Sequence, residues 1–219
     1  MSLLRRYPDA RTAAEACGAE ILTLLRDQTT LAISGGTSPR LMFDFFARSG
    51  FDWSRIHVFW VDERCVPHDH PDSNFKLAHD VWLKDVPAIV HPVRTELAPD
   101  AAAAAYAEEL RPFLPLAVIH RGMGADGHTA SLFPGDPLVH NTTDLVGVAH
   151  RAITRITLLR AVLEAARHTV ILATGADKAE PLAAILHGPH EPIQYPAQIA
   201  ALDPDAATWF IDEAAAGKL

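Results

Sequence analysis

Leu31-Ala32-Ile33-Ser34-Gly35-Gly36-Thr37-Ser38-Pro39 is an apolar run that stops at a glycine pair and restarts on a proline. Three consecutive apolar residues with no polar alternation suit a strand covered on both faces. The glycines end it. Pro39 stands where a helix begins, because the first turn has no use for the missing N–H. Arg40 to Arg48 then reads as that helix, and Ile56 to Val61, rich in β-branched and aromatic residues, reads as the next strand. Strand, glycine turn, helix and strand make one βαβ unit.

Working outward, the same alternation continues in both directions. Ala13, Ala16, Cys17, Ile21, Leu24 and Leu25 recur near helical spacing within 10–26. Downstream of the polar segment His68–Asn74, Phe75–Leu83 predicts a helix, and the alanine-rich stretch 100–110 another, with Asp100 as N-cap. Val118-Ile119 opens a strand. Arg155–Leu159 is a strand or the entry to a helix over 159–167. Thr169–Ala173 is a strand, Lys178–Leu186 a helix and Thr208–Ile211 a last strand. The pattern predicts an α/β, Rossmann-like fold in one domain over 1–219, its sheet mostly parallel and covered by helices on both faces.

Composition narrows the function. The 19 Lys and Arg against 27 Asp and Glu leave a net charge of −8, which argues against nucleic acid or an anionic membrane surface as partner. A small anion remains compatible, since a few local cations and backbone N–H groups suffice to bind one. No apolar run reaches the roughly 18 residues of a membrane span. The start, Met1 to Pro8, carries basic residues with no apolar segment after them, so no secretory signal is expected. Two cysteines, Cys17 and Cys65, match neither a disulfide framework nor a zinc pattern, and a cytoplasmic setting follows.

Ligands of open α/β sheets bind beyond the carboxyl ends of the strands. Four polar or glycine-rich segments fall there: Ser34–Ser38, Asp62–Arg64, Gly122–His128 and Thr174–Lys178. The first offers free N–H groups at a helix start and suits a phosphate, although it lacks the Gly-Lys-Ser/Thr of a Walker loop. Gly122-Met123-Gly124-Ala125-Asp126-Gly127 matches the dinucleotide pattern GxGxxG, and Asp144 lies near the offset of a ribose-binding acid. Phe133-Pro134-Gly135-Asp136-Pro137 breaks the helix that this motif must open. The segment reads better as a catalytic loop in which His128 takes a proton from water and a carboxylate steadies the ring. Asp62 and Glu63 suit sugar hydroxyls or proton transfer, and Arg64, Arg155 and Lys178 are cations for a phosphate or carboxylate. His68 and His70, with His57 and His79 nearby, lack a third metal ligand at defined spacing, so no metal is expected. No GxSxG elbow or activated cysteine supports a nucleophilic mechanism.

Taken together, Ser34–Pro39, Val61–Pro67 with Asp72-Ser73-Asn74, Gly122–Gly135, Arg155–Leu158, Thr174–Ala179 and Trp209–Asp212 resemble the 6-phosphogluconolactonase family, in order and over nearly the whole chain. The resemblance implies hydrolysis of 6-phospho-D-glucono-1,5-lactone to 6-phosphogluconate, the second step of the oxidative pentose phosphate pathway. It implies no metal or other cofactor and a fold related to glucosamine-6-phosphate deaminase. It makes His128 the base and Asp62, Arg64, Arg155, Lys178 and the Gly35-Gly36-Thr37 turn substrate contacts. On this reading Arg155 and Lys178 join the turn to grip the phosphate. Arg64 or loop N–H groups serve the oxyanion, and either Asp126 or Asp62 orients His128. The partner is a small sugar phosphate lactone; monomer and dimer both stay open.

The related deaminase carries a Glu five residues after its His, where this chain has Phe133, and an aromatic residue where this chain has Arg64. Both differences favour the lactonase. A non-catalytic sugar phosphate sensor is the binding-module alternative. His120-Arg121 departs from the apolar end usual for the strand before the catalytic loop, and is expected to reach solvent or a partner. His150-Arg151 stands near the place of a Lys common in the family, and Glu164 in place of an Asn.

Overall fold

Seven strands lie side by side in the computed structural model, which describes residues 3–201 and 207–219. They are β1 (Leu3–Tyr7), β2 (Thr30–Ile33), β3 (His57–Trp60), β5 (Ile89–His91), β6 (Val118–Gly122), β9 (His168–Ala173) and β10 (Ala207–Asp212). Their order is β1-β10-β9-β6-β2-β3-β5, and every pairing is parallel. A parallel sheet must be covered on both faces, and the side chains show how. Leu31, Ile33, Val118, Val170, Leu172 and Phe210 pack against α1 (Ala10–Leu24) and α2 (Thr37–Arg48). On the opposite face, Ala32, Phe59 and Ile119 meet α4 (Pro99–Leu110) and α5 (Arg160–Leu163). Ile171, Trp209 and Ile211 meet α6 (Ala179–His187) on that face. The single-domain reading over 1–219 takes in Met1, Ser2 and 202–206, which lie outside the described residues.

The sequence reading misses a second sheet. β4 (Asp62–Arg64), β8 (Arg155–Leu158) and β7 (Val146–Ala149) form an antiparallel set of three. Asp62–Arg64 is therefore a strand and not the loop end of β3. Its register sets Arg64 opposite Arg155 and Asp62 opposite Thr157, so all four side chains share one face. Two other expectations are corrected. Asp100 is not the N-cap of α4; Ala98 is, and Asp100 lies in the first turn, where its charge still meets the positive end of the helix. The helix over 159–167 is only α5, four residues long.

His120 and Arg121 do not reach solvent. Both are buried in β6, between β2 and β9, on opposite faces of the sheet. His120 Nδ1 accepts a long bond from the Ser34 N–H at 3.4 Å, and burial pushes the ring down to about 3, which holds it neutral. The Nε and Nη1 groups of Arg121 have no hydrogen-bond partner among the described residues. Burial lowers this guanidinium to about 10 against the pull of Glu164. An apolar residue there avoids the desolvation of a charge. Arg121→Leu is expected to raise unfolding free energy in urea by about 1–4 kcal/mol; a lower unfolding midpoint in that variant would show that the guanidinium has a stabilising partner. No helix among the described residues is long and apolar enough to cross a membrane.

Candidate active site

Parallel strands deliver their carboxyl ends to one edge, and there β2, β6 and β9 release the Ser34, Gly122 and Thr174 loops side by side. β4 and β8 of the small sheet complete the wall. Two adjoining hollows result, of about 470 and 120 Å³, sharing Gly35, Gly122 and Met123.

The larger hollow opens onto the start of α2. Gly36 is the N-cap, at φ +121, a conformation strained for any side chain. The free N–H groups of this twelve-residue helix and its positive dipole end face the hollow beside Lys178. Ser38 Oγ and Thr174 Oγ1 lie 2.6 Å apart and tie the two loops together. Asp212, at the end of β10, is buried and accepts from the N–H groups of Gly175 at 3.0 Å and Ala215 at 2.8 Å. It thereby holds the turn that carries Lys178, whose Nζ meets Asp177 Oδ2 at 2.6 Å.

The smaller hollow holds His128. Its Nδ1 is 2.5 Å from Asp126 Oδ1, which also accepts the His128 backbone N–H at 3.1 Å. A carboxylate partner assigns the proton to Nδ1 and leaves Nε2 with a free lone pair. Burial works to raise the Asp126 carboxyl, but the His128 N–H, charge and ring outweigh it and hold it below its usual range. Gly124 makes this possible: a Cβ there would lie 2.0 Å from His128 Nδ1. Ala130, in the left-handed region at φ 54, is a strained turn beside the same hollow. Phe133 lies with its ring centroid 4.6 Å from that of His128, and the Arg151 guanidinium sits 4.2 Å over the Phe133 ring.

Asp62 does not touch His128. It accepts from Ser131 Oγ at 2.7 Å and lies 3.9 Å from Arg155 Nη1. Between the two acids left open by the sequence, Asp126 is the one in contact with the imidazole. Glu63, almost fully buried, accepts from the N–H groups of Arg64, Asn74 and Phe75 and from Ser73 Oγ. Burial pushes its carboxyl up and those N–H groups oppose the shift. The Asn74 side chain so placed donates to Asp62 O at 2.8 Å and accepts from Arg64 Nη1 at 2.7 Å. Gly35 leaves room for it, since a Cβ there would lie 2.0 Å from Asn74 Oδ1.

The expected residues thus gather at one edge, with one regrouping. Arg155 does not join Lys178 and the glycine turn; it lines the smaller hollow with Arg64 and His128. Burial lowers its guanidinium, Asp62 opposes this, and the charges of Arg64 and Arg151 add to the lowering. Ser34, Asn74 and Asp212 were given no role of their own from sequence, although each lies in the motif set; Glu63, read there as an acid for sugar hydroxyls or proton transfer, is instead buried and engaged by Arg64, Ser73, Asn74 and Phe75. Some histidines outside the site are engaged elsewhere: His68 Nε2 with Val93 O at 2.9 Å, His57 Nδ1 with His91 Nε2 at 2.9 Å. Among the described residues, no group of three or more His, Cys, Asp or Glu is placed to hold a metal ion.

The family model described as glucosamine-6-phosphate isomerases/6-phosphogluconolactonase matches residues 8–209. The chain belongs to that family. It is 38% identical over 208 residues to the 6-phosphogluconolactonase of Synechocystis sp., with 89% of this chain and 86% of that one covered. The solved 6-phosphogluconolactonase of Thermotoga maritima is 27% identical with a TM-score of 0.84, covering 97% of this chain and all of the other. A monomeric glucosamine-6-phosphate deaminase superposes with a TM-score of 0.87 over 99% of this chain and all of its own at 15% identity, which shows the shared fold.

The tight fit at Gly124 makes a direct prediction. Gly124→Ala displaces the His128 ring from Asp126, and the ring-nitrogen chemical shifts lose the single Nδ1–H tautomer of the parent protein. Retention of that tautomer would contradict the placement.

Proposed function

We propose that the chain hydrolyses 6-phospho-D-glucono-1,5-lactone to 6-phospho-D-gluconate in the oxidative pentose phosphate pathway, without a metal, with His128 as general base. The observation that carries this is the Asp126-backed imidazole of His128, set in a hollow that adjoins an anion-suited helix start with a lysine. The named relatives support the substrate class. The Gly35-Gly36-Thr37 N–H groups and Lys178 take the 6-phosphate, and Arg64, Arg155 and Asp62 face the sugar and lactone. His128 Nε2 removes a proton from water as its oxygen attacks C1. The tetrahedral oxyanion collapses, the C1–ring oxygen bond breaks, and the imidazolium returns its proton to the leaving ring oxygen. The new carboxylic acid then loses its proton to solvent, so each turnover releases one proton.

A δ-lactone is an activated ester. General base catalysis worth roughly 10²–10⁴, with a comparable factor from oxyanion donors, covers the acceleration needed. Deaminase chemistry asks for a further proton-transferring carboxylate at position 133, where Phe133 packs on the His128 ring instead. We also propose a single domain over 1–219 that acts in the cytoplasm on a small molecule, with no nucleic-acid or membrane partner.

Proton release from freshly made phosphogluconolactone tests the reading. The protein speeds it well above the spontaneous rate and releases no ammonia from glucosamine 6-phosphate. Binding without acceleration identifies a sensor, and ammonia release a deaminase; either result refutes the lactonase. His128→Ala is expected to lose roughly 10²–10⁴ in kcat, whereas Lys178→Ala mainly raises KM. A His128→Ala variant with near-parent kcat would remove that residue from the role of base.

A further inference from the structure

A segment that follows α6 lies against the catalytic loop and touches it twice. The Ala197 N–H donates to Gly127 O at 3.0 Å, and the Gly135 N–H donates to Ile193 O at 2.9 Å. The first contact bears on His128. The carbonyl of Gly127 and the N–H of His128 belong to one planar peptide unit. Its oxygen accepts from Ala197, and its N–H donates at 3.1 Å to Asp126 Oδ1, the atom that also meets His128 Nδ1. Turning that peptide would break both bonds. Gly127 stands at φ +84, and a Cβ there would lie 2.8 Å from Tyr195 Cδ1, so the tyrosine ring closes on the bare face of the same turn. The segment is itself built around one side chain. Gln198, only 2% exposed, accepts from the Glu191 N–H at 2.6 Å and donates to Pro189 O at 2.8 Å and, more weakly, to Ile185 O of α6 at 3.5 Å. Glu191 O in turn accepts from the Gln194 and Tyr195 N–H groups. Ala197 and Ile199, which flank Gln198 in sequence, are buried in two different core clusters.

We propose that residues 189–198 form a brace for the catalytic loop, in which Tyr195 and Gln198 are positioning residues that hold the Asp126–His128 pair through the Gly127–His128 peptide. This rests on His128 as the base of the lactonase reading. Neither side chain lines the two hollows, so both act through the loop. A general base works only within hydrogen-bond reach of its water and with the right nitrogen free, and an error of about 1 Å in its place costs roughly 10²-fold in rate. An Asp-Gly-His turn alone does not set that place, because glycine lets its peptide units rotate at little steric cost. The brace removes this freedom from outside the loop. Gln198 sets the shape of the brace, Ala197 presents the N–H, and Tyr195 fills the space left by the missing side chain. The two bonds of the shared peptide strengthen each other, since a carbonyl that accepts makes its own N–H a better donor. The brace therefore serves turnover more than binding: the phosphate contacts at α2 and Lys178 belong to other loops.

Kinetics, calorimetric binding and ring-nitrogen chemical shifts test the brace together. Gln198→Leu removes the three side-chain bonds, and Tyr195→Ala removes the ring. Each should lower kcat about tenfold and change the Kd for 6-phosphogluconate less than about twofold. In each the His128 ring nitrogens should lose the single Nδ1–H tautomer of the parent protein. Tyr195→Phe, which keeps the ring, should match the parent in all three measurements. Tyr195→Ala, at a half-buried position, carries the test if Gln198→Leu does not fold. Parent kcat and parent tautomer in either folded variant overturn the brace. So does a loss of 6-phosphogluconate affinity as large as the loss in kcat, or a Tyr195→Phe variant as impaired as Tyr195→Ala. Failure of the parent protein to release protons from the lactone overturns the lactonase reading alone, because the His128 tautomer reports on the brace without turnover.

Discussion

A buried carboxylate, that of Glu63, organises the reactive edge of this protein. Among the described residues it has no cation partner and is held by the backbone N–H groups of Arg64, Asn74 and Phe75 and the hydroxyl of Ser73. Two of those N–H groups belong to the first residues of α3 (Asn74–Val81), where free donors and a positive dipole end stabilise an anion. The bond fixes the start of α3 against β4. Asn74 then reaches both Asp62 and Arg64, and it fits only because residue 35 has no side chain. The small sheet, the helix and the glycine turn are therefore placed by one set of mutually dependent contacts. Such a network tolerates no half-satisfied member.

On that frame the proposed function separates binding from chemistry in space. An acidic chain with a net charge of −8 gathers a cluster of cations at the strand ends. Lys178 and the N-terminus of α2 stand on one side of Gly35, and Arg64, Arg155 and His128 on the other. A ligand with a phosphate at one end and an ester at the other spans the two. On the proposed reading, phosphate binding positions the lactone at the imidazole, and the energy of that remote contact lowers the barrier through orientation.

Much of this was legible in the sequence because long-range order in a parallel α/β fold is set by local signals. Glycine turns after apolar runs mark strand ends, and strand ends mark the site. The regions that escaped lack such signals. β4 and β5 are three residues long and β7 four, too short for a period to show, and β4 is wholly polar. Without the β4–β8 register, Arg155 had no visible neighbour and was grouped with Lys178 on its charge and on the family resemblance. Glu63 and Asn74 are eleven residues apart in sequence, and nothing local indicates that one caps the other's helix. His120 and Arg121 were expected to reach solvent or a partner because buried polar groups with unmet hydrogen bonds are rare.

The most direct test of the account is a crystal structure of the protein with 6-phosphogluconate bound. The phosphorus atom should lie against the Gly35-Gly36-Thr37 amides and Lys178, with the C1 carboxylate within reach of His128 Nε2. A ligand bound the other way round, or with C1 far from the imidazole, would contradict it.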